Sequence, residues 1–237
     1  MPTINLLYQR SYKINDWLSV VIPTVGEILD DEDSYYSMVS MLTAMPIDFM
    51  VPLDDAGIDF TQINEYELFL LLFPALQNMD THLVFGDVDL KRFSLMQNDV
   101  NGQVILRDTA NGYVIDRAIH NQIATTLRSI NKLERNNKRP GNDEAKRYML
   151  ERARVKAMRR KRKEMSQTEQ LIVAMVNTEQ FKYGFEEVRD LTIYQFNESV
   201  RQIIKKVEYD QRMTGVYAGT IDPKSISQDD LNWLIHK

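Results

Sequence analysis

The chain has no cysteine and only three histidines among its 237 residues. Without cysteine there is no disulfide frame, no thiol nucleophile and no thiolate metal site, and the usage fits a reducing compartment. His82, His120 and His236 lie far apart in sequence, and none stands in a His-x-x-x-His or His-Glu-x-x-His pattern, so no zinc site is expected. Apolar runs of membrane-spanning length are missing too. The longest, around Leu68–Ala75, falls far short of a span and holds Pro74. Met1–Asn5 has no basic stretch followed by an apolar one and does not read as a secretory signal. Neither a phosphate-binding Gly-x-x-x-x-Gly-Lys loop, nor Gly-x-Gly-x-x-Gly, nor a Gly-x-Ser-x-Gly elbow occurs. These absences predict a protein that is not an enzyme, uses no metal or cofactor and does not enter a membrane.

What is present is charge, and it is segregated. Arg128–Lys163 holds fifteen Lys or Arg against four acids, about +11 in a chain whose total is −5. Met1–Asp80 holds thirteen Asp or Glu against Arg10 and Lys13, about −11. The acidic part repels nucleic acid and attracts the basic stretch, in cis or in a neighbouring molecule. Asn136–Asn142 is polar, charged and broken by Pro140-Gly141. This linker divides the chain into an acidic part, 1–135, and a part from 143 to 237 that begins with the basic helix.

Hydrophobic residues make up 43% of the chain, enough for an ordinary core. Capping boxes at Thr24–Glu27, Ser166–Glu169 and Thr192–Gln195 predict three helix starts. A helix capped by Ser34 is expected to carry Tyr35, Met38, Val39, Leu42 and Met45 on one face, to end at Pro46, and to precede a loop over Val51–Gly57. Leu- and Phe-rich residues predict a buried helix over Asn64–Phe73. Another, over Asp116–Leu133, carries Ile119, Ile123, Leu127 and Ile130. Leu171–Val176 is apolar enough to be wholly buried. Between them, His82–Phe85 reads as a strand, and Asn101-Gly102 and Asn111-Gly112 read as two-residue hairpin turns. The fold class that follows is α+β, mainly helical, with a small antiparallel meander in the middle and a long basic helix.

Asp54, Asp55 and Asp59 invite a cation-site reading, but their spacing is not that of a calcium loop and no bidentate Glu follows. Solvated loop acids and helix caps are the simpler account. In the basic helix, Ala145, Met149, Ala153 and Ala157 form a thin apolar stripe, widened by Tyr148 and Val155. The remainder is cationic. Arg152, Arg154, Lys156, Arg159, Arg160, Lys161, Arg162 and Lys163 are the candidate contacts to an acidic partner or to phosphates. In the last long helix Ile193, Phe196, Val200, Ile203 and Val207 alternate at three and four, a two-heptad seam for intramolecular packing or for a partner. Tyr194, Tyr209, Tyr217 and Trp233 are expected in the core, with Trp233 anchoring a last helical turn over Asp229–Leu234.

Two stretches resemble small proteins from the tail-morphogenesis region of tailed phages of Gram-positive hosts. One is Ile22–Ile28 with Leu53–Phe60. The other is Asp190–Phe196 with its following helix and Tyr217-Ala218-Gly219. Such proteins are similar to the tail assembly chaperones, which hold the tape-measure protein soluble while the tube forms. The basic helix lies outside that pattern. The resemblance implies a non-enzymatic assembly factor in the host cytoplasm or the virion. Its partner would be a phage structural protein such as the tape measure, or a second copy. The alternative drawn from charge alone is a nucleic-acid-binding protein using residues 144–163.

Overall fold

The capping boxes decide where the helices begin. In the computed structural model, which describes residues 5–98, 102–158, 166–227 and 231–234, the Thr24 hydroxyl accepts from the Glu27 N–H at 3.1 Å while Glu27 accepts from the Thr24 N–H at 2.6 Å. That reciprocal pair opens α1 (Val25–Asp30). The same device opens α4 (Glu65–Leu76) at Asn64, α8 (Gln167–Val176) at Ser166 and α10 (Ile193–Tyr217) at Thr192. Asp116 caps α6 (Arg117–Asn131), which ends on Lys132 in the left-handed region at φ +54°. The helices α2 (Glu32–Leu42), α3 (Met50–Asp55), α5 (His82–Phe85), α7 (Asp143–Met158) and α9 (Phe185–Asp190) complete the set among the described residues.

The strands form two antiparallel sheets. β1 (Ser11–Lys13) pairs with β2 (Ser19–Val21), and β3 (Ser94–Gln97), β4 (Val104–Asp108) and β5 (Tyr113–Ile115) form a meander. The protein is therefore α+β and mainly helical, with its three-stranded meander in the middle. The first hairpin carries no Asn-Gly signal and is legible only after folding. The meander's turns are longer than two residues. Gln97 pairs with Val104 and Asp108 with Tyr113, so six residues separate the first pair and four the second, and Gly102 (φ +67°) and Gly112 (φ +72°) supply the left-handed backbone on the returning side of each. The buried Asp108 carboxylate accepts from the Ala110 and Asn111 N–H groups and the Asn111 amide, building the second loop from within. Asn101 lies outside the described residues.

Other expectations are corrected. His82–Phe85 is the single helical turn α5: the Phe85 N–H donates to the Thr81 carbonyl at 2.8 Å and Gly86, at φ +59°, ends the turn. The strand expectation failed because Val84 and Phe85 are both buried, which one helical turn achieves and an alternating strand does not. Residues 51–55 are helical because Pro52 sits in the first turn of α3, where its missing N–H costs nothing. α2 starts two residues before Ser34 and ends at Leu42, short of Pro46. Pro74 lies inside the last turn of α4. In α8 only Thr168, Ile172 and Met175 are buried, and Val173 is exposed. The expected helical turn at 229–234 lies partly outside the described residues; Trp233 sits in a turn.

One core runs through most of these elements, from Leu6 and the β1–β2 hairpin through α1, α2, α4 and α6 to Ile172, Val188, Phe196 and Val200. It takes side chains from both sides of the 136–142 linker. Two backbone hydrogen bonds join the chain's first and last thirds: the Val25 N–H donates to the Leu191 carbonyl (2.9 Å) and the Ile193 N–H to the Pro23 carbonyl (2.8 Å). The caps Thr24 and Thr192 thus stand opposite each other as an antiparallel bridge. Gly26 allows this approach, since a Cβ there would lie 3.1 Å from the Arg189 carbonyl oxygen. No described helix is long and apolar enough to cross a membrane.

A buried ion pair stitches the middle of the chain. Arg128 on α6 donates to Glu65, the first residue of α4, at 2.5 Å and to the Thr43 carbonyl just past α2 at 2.5 Å. Both side chains are about nine-tenths buried. Arg135 adds a second donor to the other Glu65 oxygen at 2.7 Å. Removing one partner of such a pair strands a buried charge. E65L is therefore expected to cost about 3–5 kcal/mol in urea unfolding, because it leaves the buried Arg128 without its carboxylate, whereas E65L with R128M recovers most of that loss. A double variant no more stable than the single one would contradict this account.

Candidate functional site in the basic helix and the long C-terminal helix

Asn142 opens α7 by accepting from the Ala145 N–H at 2.8 Å. The helix turns Ala145, Lys146, Met149, Leu150, Ala153 and Arg154 inward, and of these Leu150 is fully buried. Leu150 closes a second apolar cluster, separate from the main core, made by Ala44, Ile47, Leu53, Phe60 and Leu68. Burying a leucine contributes roughly 2 kcal/mol. The sequence stripe put Ala157 on the docked face and missed Leu150. In the structure Ala157 is exposed, and Tyr148 and Val155, at 59% and 41%, point to solvent.

The acids of 54–59 receive this helix. Lys146 Nζ lies 2.7 Å from Asp59 Oδ2, and Arg154 Nη2 lies 2.7 Å from Asp54 Oδ2 and 2.6 Å from Asp55 Oδ1. Of the two ways the acidic and basic parts could meet, these pairs are formed in cis. The Lys146 ammonium, then the Thr61 N–H and hydroxyl, hold the Asp59 carboxyl down at about 2. The hydrogen bonds that Arg154 donates to Asp55, and then to Asp54, raise its pKa further above the ordinary guanidinium value. Both sets are solvent-accessible and screened by salt.

The candidate contact residues thus separate. Arg154 is engaged on the acidic shelf. Arg152 lies exposed, its guanidinium 5.6 Å from the Tyr148 ring centroid, and Lys156 is exposed as well. Arg159, Arg160, Lys161, Arg162 and Lys163 lie outside the described residues.

The seam of α10 also divides. Ile193, Phe196 and Val200 are buried in the main core, while Ile203 and Val207 are half-buried. Beyond Val200 the helix carries no fully buried residue, and Ile204 (51%) and Tyr217 (82%) are exposed. Tyr217 was expected in the core; it stands at the last turn of a helix that runs past the core, and the described residues leave it exposed. Twenty-five residues make α10 about 37 Å long. A returning segment lies along its distal half: the Ile221 N–H donates to the Gly215 carbonyl, Gln202 donates to the Trp233 carbonyl at 2.9 Å, and Lys206 lies 5.4 Å from the Trp233 ring. Lys132 pairs with Glu198 and sits 4.0 Å from the Tyr194 ring, fixing α6 to α10.

A polar cleft of about 520 Å³ opens between the starts of α4 and α6 and the β3–β4 hairpin, with Tyr66, Asp116, Arg117 and His120 in its lining. Among the described residues the lining holds no Ser, Thr or Lys. His120 stacks on Phe69 at 4.2 Å, and its Nε2 has no hydrogen-bond partner among the described residues. Burial depresses it to about 4; the nearby Glu65 charge and its bond to the Leu42 carbonyl oppose the shift without reversing it. It is a neutral packing histidine, and sequence reasoning had no signal for its burial beyond its place on the apolar side of α6.

Residues 160–236 match the YomV second domain, a phage-derived family. The match covers α8, α9, α10 and the returning segment, so the C-terminal third is similar to a phage-associated domain, consistent with a phage protein. No curated protein and no solved structure matches the chain.

The depressed His120 gives a testable pH dependence. Its folded value, about 4, lies below the ordinary 6.5. The unfolded chain therefore takes up a proton that the native state refuses, and stability falls as pH drops from 6.5 to 4, then levels below that. The loss is about 3 kcal/mol. H120F, which preserves the stack on Phe69, is expected to lack this part of the acid dependence in urea titrations at successive pH values. A pH profile parallel to that of the wild type would show that His120 is not the group responsible.

Proposed function

We propose that the protein is a phage morphogenesis factor, of the tail-assembly-chaperone or minor virion assembly kind, that works without catalysis by presenting apolar helix faces to a structural partner. The observation that carries this reading is α10. Its first two turns are committed to the core, and its distal half runs beyond it with Ile203, Ile204, Val207 and Tyr217 partly or largely accessible. A long helix rooted in the core, with apolar side chains still accessible beside the returning segment, suits capture of another helix, by ridges and grooves or by a heptad seam. The match to a phage-associated domain falls on this same segment. The partner chemistry is a long helical protein with an apolar seam, such as a tape measure, or a second copy of this chain, met in the host cytoplasm or in the particle.

The test is co-purification with the tape-measure protein of the same phage, alongside light scattering for self-association. I204E with Y217E is expected to weaken association at least tenfold while leaving Tm within about 2 °C, because both side chains are exposed. A monomer that captures no tail protein, or association unchanged in the variant, would remove this reading.

A second reading rests on Arg147, Arg152 and Lys156, which are exposed and make no ion pair among the described residues. They lead into the sequence run Arg159–Lys163. Phosphate binding through these cations would lose several hundred-fold in affinity between about 50 and 200 mM salt. Reversing Arg159, Arg160, Lys161, Arg162 and Lys163 to Glu together would abolish it. No duplex or single-strand retention at 50 mM salt would discard nucleic acid as the partner.

A further inference from the structure

The second apolar cluster has the chemistry of a helix receptor. Its floor is Ala44, Ile47, Leu53, Phe60 and Leu68. Met45 and Met50 line its edge, and the unbranched thioether side chain adapts to differently shaped occupants. Asp54 and Asp55 stand at one end of its rim and Asp59 at the other. The occupant in this structure is α7, which enters with one cation, one leucine and one cation at i, i+4 and i+8: Lys146 on Asp59, Leu150 in the cluster, Arg154 on Asp54 and Asp55. The stem of Lys146 also passes Phe60, with Nζ 5.6 Å from the ring centroid. This is the arrangement by which an apolar groove with an acidic rim recognises a basic amphipathic helix.

The resident is lightly held. Leu150 is its one fully buried side chain among the described residues. The carboxylates of Asp54, Asp55 and Asp59 remain 44%, 57% and 38% exposed, so water and salt compete for its cations. Residues 137–142, which join it to the anchored Arg135 and Asn136, form neither helix nor strand. A 16-residue helix of mostly polar composition is marginal once undocked.

We propose that the groove between α3 and α4 is a receptor for basic amphipathic helices, with α7 as its displaceable resident. A partner helix carrying cation, leucine and cation at i, i+4 and i+8 binds there by taking the place of α7. The tether sets the threshold for exchange, because it presents α7 at an effective concentration on the order of millimolar, which a partner must overcome. The site is separate from the distal half of α10, so the two proposals stand or fall independently.

The experiment uses the full chain and a labelled peptide of residues 142–158 as the probe helix. K146E with R154E unlatches α7 and leaves the groove unaltered. Fluorescence anisotropy is expected to show the peptide binding this variant at least tenfold more tightly than the wild type, where the resident competes. Binding to the variant should weaken as salt rises from about 50 to 200 mM. Adding D54K with D55K should abolish it, and a peptide bearing K146E and R154E should not bind. Should the double reversal fail to melt cooperatively, R154A offers the same comparison with a smaller opening. No binding to an unlatched but folded chain, or equal binding to unlatched and wild-type chains, overturns the proposal.

Discussion

The antiparallel bridge between Thr24 and Thr192 is the contact on which the architecture turns. It sets two helix N-termini back to back, with the Val25 and Ile193 N–H groups each bonded to the opposite strand's carbonyl. Each cap threonine also serves its own helix. Four orphan N–H groups at each helix start need partners, and here the side chains and the bridge share that work. Because the bridge fixes where α10 begins, it also fixes which residues reach the core and where the helix leaves it. Gly26 eases this approach, since a Cβ there would press on the Arg189 carbonyl oxygen and push it back by a few tenths of an ångström.

The Arg128–Glu65 pair plays the corresponding part in the middle of the chain. It ties the ends of α2 and α4 to α6, and through Arg135 it anchors the segment that leads to α7. Buried charges of this kind are costly to assemble but costlier to break singly, so they specify one arrangement rather than add much net stability. Asn136 extends the anchoring to Asp48 at 2.7 Å. The position of the basic helix over residues 54–59 therefore follows from a buried polar network as well as from long-range attraction between the acidic and basic parts.

The two functional proposals share one physical theme: helix faces that are only partly used by the fold. α10 spends its first turns on the core and has length to spare, while α7 fills an acidic, methionine-edged groove with a single leucine. Charge segregation along the chain, about −11 in the first 80 residues and about +11 across 128–163, is partly neutralised inside the molecule by Lys146 and Arg154. Arg147, Arg152 and Lys156 remain outside those pairs on the solvent side.

By itself the sequence determined the helix starts at Thr24, Ser166 and Thr192, the α+β class, the two meander strands that follow Gly102 and Gly112, and the charge segregation, while the meander's first strand, Ser94–Gln97, went unread. These are local properties: a capping box spans four residues and an Asn-Gly pair announces its own turn. It also marked Ile193, Phe196 and Val200 as one face. The tertiary structure decided which of these features meet. Whether His82–Phe85 is strand or helix depends on which side chains find a core, and periodicity over four residues cannot say. The β1–β2 hairpin carries no turn signature at all. Leu150 was invisible as the docking residue because the alanine stripe beside it has the same period, and only the position of the 44–68 cluster selects between them. The pairing of Asp54, Asp55 and Asp59 with α7, and of Thr24 with Thr192, joins residues roughly 90 to 170 positions apart. Such contacts are set by packing of the whole chain rather than by any propensity of the residues that make them.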